Sequence, residues 1–155
     1  LHQQPVARDL RVVSAALKMI TDMERIGDQA GDIAELSMRL PETVDFRRLE
    51  HIRTMAKAAS KMVTNAIDAF VGRNLELAES ISEADDEVDA LVDEVRDDLI
   101  EIVRQESGDV AAAIDLLMVA KYFERIGDHA VNISEWVVYS ITGEHKSDEA
   151  KGKHE

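Results

Sequence analysis

Apolar side chains recur every three to four residues along most of the chain, which is the period of an α-helix. Breaks in this pattern divide it into four predicted helices, over residues 6–40, 45–72, 75–106 and 110–142. Asp45 is the predicted N-cap of the second helix, because a carboxylate accepts hydrogen bonds from the free N–H groups of a first turn. Long helices with short connections predict an all-α protein.

The other predicted helix ends also have suitable residues. Pro5 fits a first helical turn, whereas Pro41 stops the first helix. Gly72 supplies the turn that ends the second helix, and Gly143 closes the fourth. Asp109 is the predicted N-cap of the fourth helix.

Short connections make consecutive helices antiparallel, so helices two to four are predicted to form a three-helix bundle. The first helix has an apolar face that must pack on this bundle, on another chain or on a missing segment. We expect a first helix within residues 1–41, a bundle over 42–143 and a disordered, charged tail over 144–155. The apolar stripes are Val13, Leu17, Ile20, Met23, Gly27, Ala30 and Ala34 in the first helix, and Ala78, Ile81, Val88, Val92, Val95, Leu99 and Ile102 in the third.

The composition excludes several classes of function and indicates the kind of core. Hydrophobic residues make up 45% of the 155 residues but aromatic residues only 4%, which predicts an aliphatic core. A net charge of −14 argues against a nucleic-acid-binding surface. The chain has no cysteine, so disulfides and thiolate metal sites are excluded, and a cytosolic setting is allowed. No apolar run approaches the ~20 residues of a membrane span.

One twelve-residue segment occurs twice. Residues 24–35 and 124–135 are identical at eight of their twelve positions, which indicates internal duplication. Both copies carry a Glu and an Asp four residues apart, a spacing that puts two carboxylates on one face of a helix. These pairs are Glu24 with Asp28 and Glu124 with Asp128.

Two further features lie inside the repeat. Gly27 and Gly127 occupy the same position, where glycine costs roughly 1 kcal/mol relative to alanine. Their repetition indicates close approach of another helix. His129 is interpreted as a surface histidine. Elsewhere, His51 near a helix start is only weak support for a phosphotransfer bundle.

A third acidic pair lies on the third helix. Asp85 and Asp89 are also four residues apart, and Asp89 lies about as far before the turn at residues 107–108 as Glu124 lies after it. In an antiparallel helix pair they are therefore level with Glu124 and Asp128. Converging carboxylates repel unless a cation lies between them. Oxygen donors without thiolates favour Mg²⁺, Mn²⁺, Ca²⁺ or iron.

With these motifs the sequence resembles the PhoU family of bacterial phosphate-transport regulators. The resemblance implies two similar three-helix bundles, the first of which lacks its first two helices here, so that the first predicted helix is the last one of an incomplete repeat. It also implies a multinuclear metal cluster of iron or other divalent ions such as Mg²⁺, Mn²⁺ or Zn²⁺. The matching stretches are residues 4–11, the two Glu-Arg-Ile-Gly-Asp copies, residues 85–89 and residues 132–135.

Carried over residue by residue, the family's metal motif falls on both repeat copies and on the third helix. We expect one complete site and one half-built site. The complete site comprises Asp85, Asp89, Glu124 and Asp128, and the half-built site comprises Glu24 and Asp28.

The resemblance implies a regulatory role without catalytic residues. PhoU proteins couple a phosphate ABC transporter, through its ATPase, to a sensor histidine kinase, and they keep phosphate-starvation genes off. A cytoplasmic homodimer without nucleic acid or membrane insertion is expected. Two alternatives stay open: a PhoU-like accessory domain of a transporter or channel, and a metal-dependent hydrolase.

Overall fold

The computed structural model describes residues 4–45, 49–105 and 109–146. Within these ranges the chain forms four α-helices and no strand, which confirms the all-α prediction. No helix in these ranges is long and apolar enough to cross a membrane. The helices are α1 (Gln4–Arg39), α2 (Glu50–Gly72), α3 (Leu75–Arg104) and α4 (Val110–Thr142).

The ends of α4 are the predicted ones. Asp109 occupies the N-cap, and its carboxylate accepts a hydrogen bond from the Ala112 N–H at 3.0 Å. Gly143 follows the last turn with φ at 80°, in the left-handed region that glycine reaches without a Cβ clash. The predicted end of the third helix, residue 106, and the turn at 107–108 lie outside the described residues.

The predicted start of α2 is wrong. The helix begins at Glu50, and Leu49 rather than Asp45 holds the N-cap position, without a side-chain hydrogen bond. Leu49 is only 3% exposed and belongs to the hydrophobic core. Burial of this leucine therefore outweighs capping preference in setting where the helix begins.

The predicted turn after α2 is displaced by one residue. Gly72 is the last helical residue, and Arg73 has the left-handed conformation, with φ at 49°. Asn74 then caps α3, and its side chain accepts a hydrogen bond from the Leu77 N–H at 3.0 Å. The connection between α2 and α3 is accordingly very short, and it holds these helices side by side.

Most of the core lies between α2, α3 and α4, with Met19 added from α1, and it is aliphatic. The stripe predicted for α3 faces it: six of its seven members are buried and the seventh, Ile102, packs against the core. From α2, Met55 and Met62 are 0% and 1% exposed. Methionine side chains adapt to irregular gaps between helices, which suits a core with so few aromatic rings.

α1 packs antiparallel along α4. Residue numbers rise along α1 as they fall along α4, and the same register places Gly27 level with Gly127. The two copies of the repeated segment therefore lie alongside each other. Gly27 itself is exposed, and a Cβ added there meets nothing within 4 Å, so the close helix approach predicted for this glycine is wrong. The contacts that fix this register are Arg39 with Asp115, Asp22 with Asn132, and Arg11 with Gly143.

The apolar stripe predicted for α1 is not the face that meets α4. Met19 is only 4% exposed and is part of the core, whereas Leu17 and Ile20 are 63% and 48% exposed. Val13 and Met23 are also exposed. α1 therefore has two apolar faces, one against the bundle and one at the surface.

Part of the predicted tail is described. His145 stacks on Trp136 of α4, with ring centroids 4.1 Å apart. The rest of the tail, residues 147–155, lies outside the described residues.

Candidate metal centre

Three carboxylates meet where α3 and α4 lie side by side. Asp85 and Asp89 are one turn apart on α3, and Asp128 lies opposite them on α4. Each offers an oxygen within 4.8 Å of the others. Asp85 is half-buried, while Asp89 and Asp128 are at the surface. We call these three residues the acid cluster; it opens to solvent on one side.

Glu124 lies at the margin of the acid cluster, one turn before Asp128. It accepts a hydrogen bond at 2.7 Å from the ammonium group of Lys121 on the same helix. On its other side it shares a hydrogen bond with Asp89. Glu124 thus contacts both the Lys121 ammonium group and Asp89 of the acid cluster.

The carboxyl groups perturb one another strongly. Burial, followed by the charges of Asp89 and Asp128, raises the pKa of Asp85 from 3.8 to about 7. Burial also raises the pKa of Asp89, and the charges of Asp128 and Glu124 add to the effect. The metal-free cluster therefore holds a proton where free aspartates would be ionised.

The pKa of Asp128 is raised as well, mainly by burial and then by Glu124. A hydrogen bond from Asp85 and the charges of His129 and Lys121 oppose this rise. Asp85 and Asp128 thus share a hydrogen bond, so one of the pair is the donor and carries the proton.

The cluster suits a hard divalent cation. All its donors are carboxylate oxygens, the ligands that Mg²⁺, Mn²⁺, Ca²⁺ and iron accept. Oδ1 of Asp85 is buried and has no hydrogen-bond partner. A buried oxygen without a donor is costly, and a cation would supply the missing partner while replacing the shared proton.

The first copy of the repeat has no comparable surroundings. Glu24 and Asp28 are exposed on α1. In the described ranges they join no third His, Asp or Glu in a group that could hold a metal ion. Their predicted role stays a prediction.

The sequence interpretation missed a polar contact beside the cluster. Nδ1 of His129 lies 3.0 Å from Oδ1 of Asp22, and the Asn132 amide donates to the same oxygen at 3.2 Å. The His129 side chain is 25% exposed, and its interpretation as a surface histidine did not include this contact with α1. Only the antiparallel register of α1 and α4 could have shown this pairing.

A second missed contact joins α2 and α3. Nε2 of His51 lies 3.0 Å from Glu94, and its Nδ1 is hydrogen-bonded to Asp98. Asp98 is the largest cause of a raised His51 pKa, ahead of the charge of Glu94. This histidine is thus held between two carboxylates of the neighbouring helix.

Fold and site together define a helical-bundle protein with a carboxylate cluster between two antiparallel helices. The family model of the PhoU domain matches residues 1–37 and 52–137. The chain belongs to the PhoU family.

Two relatives are named phosphate-specific transport system accessory protein PhoU homolog. The one from Clostridium acetobutylicum is 38% identical over 142 residues, which cover 91% of this chain and 65% of the relative. The one from Zymomonas mobilis is 36% identical, with 96% and 63% covered. The chain thus spans a little under two thirds of the length of these relatives.

Two solved structures share the fold. PhoU from Pseudomonas aeruginosa superposes with a TM-score of 0.81 at 32% identity, over 91% of this chain and 68% of that one. The phosphate transport system regulatory protein PhoU from Streptococcus pneumoniae gives 0.78 at 26%, over 89% and 65%.

Proposed function

We propose that this chain binds divalent cations at the acid cluster and acts as a regulatory adaptor of phosphate uptake. The observation that carries the metal site is the environment of Asp85, whose buried Oδ1 lacks a hydrogen-bond donor and whose pKa is raised to about 7 beside two further carboxylates. Asp85, Asp89 and Asp128 are the proposed ligands, and Glu124 would join them on leaving Lys121.

The metal's role follows from its charge. A divalent ion would neutralise the facing carboxylates and hold α3 and α4 together at this level. Positions left open toward solvent would accept an external oxygen ligand. Because phosphate is such a ligand, we propose that the loaded cluster senses phosphate. The chain offers iron, Mg²⁺, Mn²⁺ and Zn²⁺ the same oxygen donors, and a multinuclear cluster is the form implied by the family.

Calorimetric titration with Mn²⁺ tests the site. A variant with Asp89→Ala and Glu124→Ala should lose at least about tenfold in affinity. The matched control is Asp93→Ala with Asp97→Ala, which removes two exposed carboxylates of α3 outside the acid cluster and should bind as the wild type does. Equal binding by all three proteins would refute the metal site.

Titration with inorganic phosphate tests the sensing step. Phosphate should bind measurably to the Mn²⁺-loaded protein, and this binding should disappear after a chelator removes the Mn²⁺. Equal affinity in both states would show that phosphate does not bind through the metal.

The names of the relatives support the wider role. The homologues from Clostridium acetobutylicum and Zymomonas mobilis are named as accessory proteins of the phosphate-specific transport system. We propose that this chain likewise works in the cytoplasm, as a homodimer, on the ATPase of a phosphate ABC transporter and on a sensor histidine kinase. Its role is regulatory and not catalytic.

A genetic test addresses this role separately. In a bacterium that lacks its own PhoU gene, expression of the protein should lower a phosphate-starvation reporter and restrain phosphate uptake. The Asp89→Ala and Glu124→Ala variant should fail to do so at equal abundance. Restoration by neither protein would argue against the regulatory role, and restoration by both would argue against a role for the metal.

A further inference from the structure

Gly127 lies on α4 between two members of the motif, Glu124 and Asp128, and its Cα faces α3. A Cβ added at Gly127 would lie 2.8 Å from Oδ1 of Asp85, a distance that real Cβ atoms essentially never show. It would also lie 3.5 Å from Sδ of Met62, which is ordinary van der Waals contact. Asp85 is therefore the obstacle to a side chain at position 127.

The backbone does not account for this glycine. Gly127 lies in the middle of α4, and the residues with positive φ in the described ranges are Arg73 and Gly143. At a helical φ, glycine costs about 1 kcal/mol relative to alanine. The feature that distinguishes Gly127 is therefore the absence of a side chain, which leaves room for the neighbouring helix.

The oxygen that fills this space is the unpartnered one. Oδ1 of Asp85 is buried and accepts no hydrogen bond. It packs directly over the backbone of α4, which brings the carboxyl group within reach of Asp89 and Asp128. A methyl group at position 127 would push that carboxyl group away from both.

We propose that Gly127 is a positioning residue of the metal centre: its missing side chain allows Asp85 to place a carboxylate oxygen inside the acid cluster. This inference rests on the proposed metal site. Gly127 itself contacts no ion and acts through Asp85, so its replacement changes metal affinity only while Asp85 is present.

The repeat supplies a matched control. Gly27 occupies the equivalent position on α1, and a Cβ added there meets nothing within 4 Å. Gly27→Ala and Gly127→Ala make the same chemical change in the same motif. The sites differ in their surroundings: Gly127 is buried, with Asp85 at 2.8 Å and Met62 in van der Waals contact, whereas Gly27 is exposed.

The experiment is a double-mutant cycle read by Mn²⁺ titration and by the electron paramagnetic resonance spectrum of bound Mn²⁺. Gly127→Ala should weaken binding by about tenfold or more and change the spectrum. Gly27→Ala should bind within about twofold of wild type. In an Asp85→Ala background, Gly127→Ala should have no further effect, because the two residues act as one unit.

The outcomes separate the two proposals. Wild-type protein that binds no Mn²⁺ overturns both. Loss of binding in Asp85→Ala but wild-type binding in Gly127→Ala overturns only the positioning role. An equal loss from Gly127→Ala with and without Asp85 also overturns it, since the effect would not pass through that residue.

Circular dichroism on metal-free samples shows whether each variant folds. Should Gly127→Ala unfold, the double variant with Asp85→Ala should recover helicity, because the obstructing carboxylate is gone. Unfolding of both proteins would place the obstruction elsewhere and contradict the proposal.

Discussion

Lys121 donates a hydrogen bond of 2.7 Å to Glu124, at the margin of the acid cluster. The cluster thus has a fixed positive charge beside it, which offsets part of the rise in the pKa of Asp128. An incoming divalent cation meets this ammonium group as a repelling neighbour and as a competitor for Glu124.

Removal of the Lys121 charge should therefore tighten metal binding. Lys121→Gln is expected to raise Mn²⁺ affinity about fivefold, on the order of 1 kcal/mol. The Lys121 side chain is 43% exposed, so solvent screening keeps the effect modest. Calorimetry measures it. Lys57→Gln, which removes an equal charge from the exposed surface of α2, should leave the affinity unchanged; weaker binding by Lys121→Gln would contradict the prediction.

Asp85 should make the metal-free protein sensitive to pH. The folded protein keeps this proton up to about pH 7, whereas the unfolded chain releases it near 3.8. The folded state therefore binds more protons between these values, so stability is lost as the pH rises through that window. In the presence of chelator, Asp85→Asn should unfold at higher urea concentration than wild type at pH 8.

The advantage of Asp85→Asn should shrink toward pH 4, where Asp85 is protonated in the folded wild type. The control is Glu87→Gln, which removes an exposed carboxylate of α3 that is not among the charges raising the pKa of Asp85 and should follow the wild-type curve. A constant difference between Asp85→Asn and wild type at both pH values would show that the substitution acts by packing and not by charge.

His51 should also make stability fall as the pH rises, in a window above that of Asp85. Its pKa is raised above 6.5 in the folded state, mainly by the hydrogen bond to Asp98. Both ring nitrogens donate only in the protonated imidazole, as contacts to two carboxylates require. The contribution to stability is therefore complete below pH 6.5 and is lost as the pH rises through the folded pKa.

Urea unfolding of wild type and His51→Gln measures this contribution. The difference between them should be largest near pH 5.5 and small near pH 8.5. Asp98→Asn should reduce the pH dependence without removing it, because Glu94 remains. Parallel curves for wild type and His51→Gln would contradict the assigned role.

The two apolar faces of α1 should respond very differently to substitution. Met19→Ala removes a side chain that is 4% exposed and should cost about 2 kcal/mol or more. Leu17→Ala removes one that is 63% exposed and should change stability by less than about 0.5 kcal/mol. Thermal unfolding measures both. A larger loss from Leu17→Ala would mean that α1 meets the bundle through its other face.

Periodicity predicted the features that depend on one helix at a time. The stripe of α3 is buried because its spacing alone determines which side faces the core, and Asp109 caps α4 because capping is a local hydrogen bond. The level position of Asp85 and Asp128 required only residue counting across a short turn. These inferences needed no knowledge of tertiary packing.

The remaining features depend on packing between helices. α2 begins later than predicted because Leu49 is buried in the core. His51 contacts carboxylates on α3, and the spacing of residues along α2 gives no sign of these contacts. For α1, both sides were apolar, so sequence could not decide whether Met19 or Leu17 met the bundle. The role of Gly127 was visible only as a repeated glycine until Asp85 was placed above it.

The antiparallel pairing of the two repeat copies on α1 and α4 has a consequence for how the chain can change. Two copies of one segment are paired antiparallel, as they would be in an isologous dimer, but within one polypeptide each half is free to diverge. Asp22 meets His129 and Asn132 on one side. The related positions on the other side are Tyr122, Gln29 and Asp32, an unlike set. The two copies have thus diverged in the side chains that join α1 to α4.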